Sequence, residues 1–469
     1  MFDYETIATL SYILGAICLL FFFIKKDELA LLMWVLYSTN GLYRYFVVAI
    51  NPDHYATGWV RVAWARDIFT PTNELALVAL NYFLLGTACW TSSYMLVRVA
   101  MGKPKEMRDS QPILSSFITK KRTLIFSIYG FIQLVTYFFL VRVSIMFQEQ
   151  GGYNVDATGL SYFLYLPFAL GGVIILLFLL YRSINVATDP VGKFGSLGMM
   201  FLAALQSYNP GARFNFISWV VVVTMILVQN ISIWRRAVIY AVGGAFAVIT
   251  FSIAGLVRTP NTWNLTFEQK VEVAKERLLL AEDQNLLDGF LMVLQVYPDN
   301  LPFQYGYQHL EILFRPIPRA IWKGKPKGGY ANKLGLNDIE GFNGATIGIS
   351  ESIYGTFYGE GGVAAIVLLS ILYGALFALF MYRAERFSSD MQYVYKGLAF
   401  GATVAIIRGG DLAGIVAFIC MSYWPIFIAN LQYVNYLKRV NAWFGERQRI
   451  KQLEKISTIF EKEEANTPT

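Results

Sequence analysis

The sequence predicts an all-α, polytopic membrane protein, and three observations carry that expectation. Hydrophobic residues fill 56% of the 469 positions. Charged residues fill only 15%, against roughly 25% in an ordinary soluble domain. Apolar runs of roughly 20 residues, the length a bilayer demands, recur along most of the chain.

At that length about eleven spans emerge. They cover residues 6–24, 29–50, 75–99, 123–147, 161–183, 195–208, 215–231, 238–257, 361–384, 395–409 and 414–436. The first run has no basic region before it, is followed by Lys25 and Lys26, and shows no small-residue cleavage site. It reads as a retained helix rather than a signal peptide. The sixth and tenth runs are short and end in polar turns that contain glycine. Cys18, Cys89 and Cys420 fall inside predicted spans and read as small apolar packing residues, with no disulfide framework.

One loop dominates, residues 258–360, and loops of that size are uncommon without function. Thr266 and Gln269 form a helix-start pattern. Phe267, Val271, Ala274, Leu278 and Ala281 then share one helical face. Asn285 to Val296 suits a second helix. Both are expected to lie on the membrane surface or to pack as a lid. The chain thus divides into a bundle at 1–257, the loop at 258–360, further spans at 361–436 and a basic tail at 437–469.

Lysine and arginine excess marks cytoplasmic loops. Lys25, Lys26, Arg98, Lys103, Arg182, Arg236, Arg383 and Lys396 alternate correctly if the N-terminus faces out and the C-terminus in. The large loop then faces out, and with it "FRPIPRAIWKGKPKGG" (314–329), whose Arg315, Arg319, Lys323, Lys325 and Lys327 that bias does not explain. Three further segments share its face. "YNPGARFNF" (208–216) puts Arg213 at a helix break, "IIRGGDLAG" (406–414) puts Arg408 and Asp411 at another, and "GISESIYGTFYGEGG" (348–362) carries Glu351 and Glu360. A cation at bilayer depth faces a cavity or a partner, and arginine's planar fork suits oxygen anions such as diphosphates.

Each charge also has a purely structural reading. Arg213 would snorkel to headgroups, Arg408 would pair with Asp411, and Arg315 and Arg319 would meet lipid nonspecifically. Glu351 and Glu360 would be exposed or helix-start acids, and Arg44, inside the second span, would face the cavity or pair with a carboxylate.

Several chemistries have no footing. There is no phosphate-binding P-loop, no dinucleotide fingerprint and no Gly-x-Ser-x-Gly elbow. Two histidines, His54 and His309, make no multi-histidine metal site. No cofactor is expected. The net charge of +7 comes without the basic, aromatic-interleaved stripe that nucleic-acid binding needs.

The four segments, in this order, resemble the bacterial O-antigen and oligosaccharide repeat-unit polymerases, the Wzy family. The likeness rests on "IPRAIWKGKP" (317–326) preceded by "YGYQHLEILF" (305–314), on "GISESIYGTFYGEGG", on "GARFNF" and on "RGGDL". Lys323 stands where the family commonly has proline, and Gly410 is an extra glycine. The resemblance implies a GT-C-like glycosyltransferase of the bacterial inner membrane. It would join undecaprenyl-diphosphate-linked oligosaccharide donors and acceptors at the periplasmic face, with a chain-length regulator as a candidate partner.

In that chemistry Arg213, Arg319 and Arg408 would grip the departing diphosphate, with Arg315 and Lys325 as second choices and Asp411 beside Arg408. Glu351 is the first candidate for the base that takes the acceptor proton and His309 the second. Imidazole has the more suitable ordinary pKa, whereas a carboxylate needs burial to raise it. An O-antigen ligase, with the same donor, and a transporter or flippase of lipid-linked glycans are the competing expectations.

Overall fold

The computed structural model describes residues 1–50, 72–102, 104, 170–207, 214–256, 266–269, 271, 286–315, 317, 321–324, 333, 350–387, 390–410 and 412–465. Among them the architecture is all helix, with no strand and one isolated bridge between Ser352 and Gly409. The elements are α1 (Tyr4–Lys25), α2 (Leu29–Tyr37), a π-helical turn (Ser38–Leu42), α3 (Tyr43–Ile50), α4 (Asn73–Ala100), α5 (Leu170–Ser183), α6 (Pro190–Ser207), α7 (Phe214–Val228), α8 (Ile233–Leu256), α9 (Leu286–Val296), α10 (Tyr307–Phe314), α11 (Ser352–Ala384), α12 (Asp390–Ile407) and α13 (Leu412–Ala465).

Three of these, α1, α4 and α11, are long and apolar enough to cross a membrane. Their starts follow capping rules. The Asp3 carboxylate accepts from Thr6 N at 2.8 Å, and the Thr72 hydroxyl accepts from Leu75 N at 3.1 Å. Burial then runs in stripes. Ile7, Ser11, Leu14, Cys18 and Phe21 line the inner face of α1, while Tyr12, Ile13, Leu19 and Leu20 point away from the protein. Apolar side chains exposed on such helices face lipid.

The central contact is α11 against α4, and small residues set it. A Cβ on Gly86 would collide with the Tyr354 ring, and one on Gly374 with the carbonyl of Trp90. Lipid is as apolar as leucine, so helices associate by close packing rather than by hydrophobic exclusion. Ser93 adds a polar link, donating to Ile371 O at 2.8 Å. A second unit of the core joins α5, α7, α12 and α13 through Ile175, Phe178, Val222, Ile226, Val394, Leu398 and Tyr423.

At one end of the bundle the basic residues meet carboxylates. Arg98 Nε lies 2.8 Å from Asp27 Oδ2 and its Nη2 lies 2.6 Å from Glu385 Oε1, which Lys396 Nζ also approaches at 3.2 Å. Arg236 Nη1 pairs with Glu28 Oε1 at 3.0 Å, and Tyr94 donates to Asp27 at 2.7 Å. Residues expected on one set of loops thus gather at one end. Asp27 and Glu28, buried between α1 and α2, gather them there.

The structure revises several expected elements. The span expected at 123–147 lies outside the described residues. The helix expected from 361 starts nine positions earlier, at Ser352, and bends at Gly361 and Gly362. The expected second helix is present over Leu286–Val296, but it does not lie on a surface. Leu286, Leu287, Asp288, Gly289, Phe290, Leu291, Met292 and Val293 are all buried, packed between α4 and α11. The helix-start pattern at Thr266 is present, with Thr266 N bonded to Gln269 Oε1 at 2.9 Å and Gln269 N to Thr266 Oγ1 at 3.3 Å. The final helix runs on to Ala465 instead of ending near 436. Its 54 residues span about 80 Å at the usual rise, well past any bilayer.

Candidate functional site

The end of the bundle opposite that ion network is built around the first nine residues of α11. Their backbone enters the helix in an unusual way. Ser352 has φ +59° and makes the bridge to Gly409, which has φ +64°. A Cβ on Gly409 would strike the Ser352 carbonyl. Glycine tolerates both the positive φ and the approach. On the other side Gly289 of α9 backs onto the Ser350 carbonyl, where a side chain would collide as well. Residues 350–352 are therefore clamped between α9 and the α12–α13 turn.

Within that clamp Glu351 is buried, and Thr356 Oγ1 donates to its Oε1 at 2.9 Å. The same hydroxyl accepts from Gly410 N at 3.2 Å. Arg408, just past the end of α12, donates through Nε to Ser350 Oγ. Glu351 and Arg408 thus come together as two of the expected site residues, through Ser350, Thr356 and the Ser352–Gly409 bridge.

Behind the clamp lies a buried ion pair. Arg44 of α3 meets Asp288 of α9, Nη2 to Oδ2 at 2.6 Å, with both side chains fully enclosed. Of the alternatives open for Arg44, pairing with a carboxylate is the one observed.

The bend after Glu360 releases two backbone carbonyls, and the loop before α10 takes them up. Gln304 N donates to Gly359 O at 2.9 Å and Tyr305 N to Glu360 O at 2.8 Å. Gly306 N completes the row by donating to Glu360 Oε2. The other carboxylate oxygen, Oε1, lies 2.8 Å from His309 Nδ1. A carboxylate only accepts, so Nδ1–H is the donor and the lone pair of the neutral ring sits on Nε2. That nitrogen is buried and has no hydrogen-bond partner among the described residues. The ring stacks on Phe357 with centroids 6.2 Å apart and meets Tyr373 edge-on at 5.9 Å.

Tyr297 joins the two acids. Its ring packs on Gly359, where a Cβ would lie 3.1 Å away. Burial, and then the charges of Glu351, Glu360 and Glu311, hold its hydroxyl well above the ordinary phenol range. Glu311, two residues beyond His309, is buried and lies 3.5 Å from Lys333 Nζ.

No known protein family, curated protein or solved structure matches the chain. The site therefore stands on its own geometry.

Four expected site residues are described. Glu351 and Arg408 adjoin, His309 pairs with an acid expected only as a helix-start or loop charge, and Arg315 caps the end of α10, its N–H bonded to Glu311 O at 2.9 Å. Arg213, Arg319, Lys325 and Asp411 lie outside the described residues. Glu360 corrects the exposed-acid expectation, since it is 3% exposed. Its signal was in the sequence all the same: an acid directly before Gly-Gly, where a helix bends and its carbonyls need new donors. Asp288 carried no such signal.

Proposed function

We propose that the chain is a membrane glycosyltransferase that joins undecaprenyl-diphosphate-linked oligosaccharide units at the periplasmic face, with His309 as the base. The observation that carries this reading is the Glu360–His309 contact, which aims a basic imidazole nitrogen away from its carboxylate partner. An acceptor hydroxyl needs such a group within hydrogen-bond reach. Glu351, the first expectation, is the weaker candidate: it is 2% exposed and one oxygen is engaged by Thr356.

The steps balance without a further reactant. The acceptor hydroxyl gives its proton to His309 Nε2 as its oxygen bonds to the anomeric carbon of the donor. The bond from that carbon to the diphosphate breaks, and the diphosphate leaves with the electron pair. Arg408, together with Arg213 and Arg319, meets the charge that grows on it, and each preorganised contact of this kind is worth about 3 kcal/mol. Glu360 holds the imidazole in its reacting tautomer and steadies the imidazolium.

The test is reconstitution with lipid-diphosphate-linked repeat units. A ladder of lengthening products that disappears in His309→Gln and Arg408→Gln supports the proposal. Failure of wild-type protein to consume the donor in any acceptor mixture overturns it. The dyad equally suits a ligase, which would transfer only when a lipid A core acceptor is added.

A further inference from the structure

The helix α10 is amphipathic the wrong way round for a protein in water. Gln308 and Glu311 are buried and Ile312 packs on the core, so its polar residues sit largely on the inner face. Its outer face is apolar. Leu310 is half exposed and Leu313 is 71% exposed, and just beyond the helix Ile321 is 79% exposed beside Trp322. A surface helix in water buries its apolar stripe and shows its polar one.

Three features indicate what covers that face. First, it adjoins the shell of exposed apolar side chains on α11, which begins at Val363 directly after the bend and continues through Leu368, Ile371 and Leu372. The loop that leads into α10 is bonded to the Gly359 and Glu360 carbonyls of that same bend. Second, α10 packs against α13, which exposes Phe427, Ile428 and Leu431 in turn. Third, the patch is edged by Tyr305, Tyr307 and Trp322, amphipathic rings of the type that collect where headgroups meet hydrocarbon.

We propose that α10 is seated in the membrane interface, with Leu310, Leu313 and Ile321 among lipid acyl chains, so that the His309–Glu360 pair opens at the headgroup boundary. The occupant of the patch is lipid. His309 occupies the flank between the two faces of α10. This placement does not depend on the glycosyl-transfer reading and survives if that reading fails.

Site-directed spin labelling in vesicles tests it. Full-length protein with Cys18, Cys89 and Cys420 replaced by alanine would carry one nitroxide at a time, through Leu310→Cys, Leu313→Cys, Asp299→Cys or Leu372→Cys. The vesicles are phosphatidylcholine with phosphatidylglycerol, and collisions are measured with oxygen and with a water-soluble nickel chelate. All four positions are on the surface, and Asp299 and Leu372 serve as references, the first for water and the second for mid-span lipid. The expected result is an oxygen-to-nickel collision ratio at 310 and 313 above that at 299 and below that at 372. A ratio equal to that at 299 puts the face in water and overturns the proposal. Suppression of both collision rates at 310 and 313 overturns it too, because protein, such as a second copy of the chain, then covers the patch.

Discussion

Glu360 Oε1 lies 2.8 Å from His309 Nδ1 across the bend in α11, and the Glu360 backbone carbonyl accepts from Tyr305 N at 2.8 Å. One residue thus fixes both the imidazole and the loop that delivers it. The helix break and the candidate base are parts of one local structure: without the bend, no free carbonyls would anchor the 304–306 turn.

This arrangement separates two roles of the Glu360 side chain. Glu360→Gln keeps an oxygen for Gly306 N–H but removes the charge that steadies a protonated ring. Transfer by the reconstituted protein is expected to fall about 100-fold, the lower range for loss of an acid–base contribution. Thermal unfolding should move little. Wild-type rates in this variant would separate Glu360 from the chemistry.

The turn that carries Arg408 is equally specific. Gly409→Ala adds a methyl group against the Ser352 carbonyl at φ +64°. Positive φ and overpacking together are expected to destabilise by about 3 kcal/mol. Gly195→Ala, in α6 with open space at its Cβ, should be neutral or slightly stabilising. Thermal unfolding in detergent compares the two, and equal stability would mean that the turn tolerates a side chain.

Much of the helical framework was legible because hydropathy integrates over a whole span. The expected segment 75–99 falls inside α4 (Asn73–Ala100), and 238–257 nearly coincides with α8 (Ile233–Leu256). The start of α11 was not legible. Its first nine residues are rich in glycine, serine, threonine and tyrosine, and their helix is held by packing on Gly86, Gly289 and Gly409 rather than by propensity. The setting of α9, by contrast, was legible: "LLDGFLMVLQV" is apolar nearly all round, which suits a core helix better than the surface or lid position expected for it. For Arg44 a cavity and a carboxylate were both open, and it found Asp288, 244 positions away. Nothing local announces a pair so distant. Glu351, Arg408 and His309 stand out in the sequence as charged or basic residues near glycine-rich breaks, while the partner of His309 does not.

That distant pair makes a prediction of its own. Arg44→Met leaves Asp288 charged in an enclosed space, and Asp288→Leu leaves Arg44 so. Each single change is expected to destabilise by about 3–5 kcal/mol. The double variant should recover most of that loss, since two apolar side chains need no counter-charge. Unfolding midpoints of the four proteins form a double-mutant cycle. Additive losses would mean that the two residues act independently.

At the opposite end of the bundle, Glu385 gives a pH dependence. Burial pushes its carboxyl up, but the Lys396 charge and the contact with Arg98 outweigh burial and hold it below the ordinary carboxylate range. A lowered folded-state pKa means that the unfolded chain binds a proton more readily than the native one. The stabilisation is therefore complete above the unfolded pKa, near 4.5, and is lost as pH falls through the lower folded value. Glu28 in the same network is pushed up, chiefly by burial, and contributes with the opposite slope. Because Glu28 is present in wild type and in Glu385→Gln alike, comparing these two proteins largely isolates Glu385. At pH 7 the variant is expected to melt a few degrees lower. The gap should close as the buffer is taken below pH 4.5, and a gap that stays constant with pH would show that Glu385 contributes by packing and not by charge.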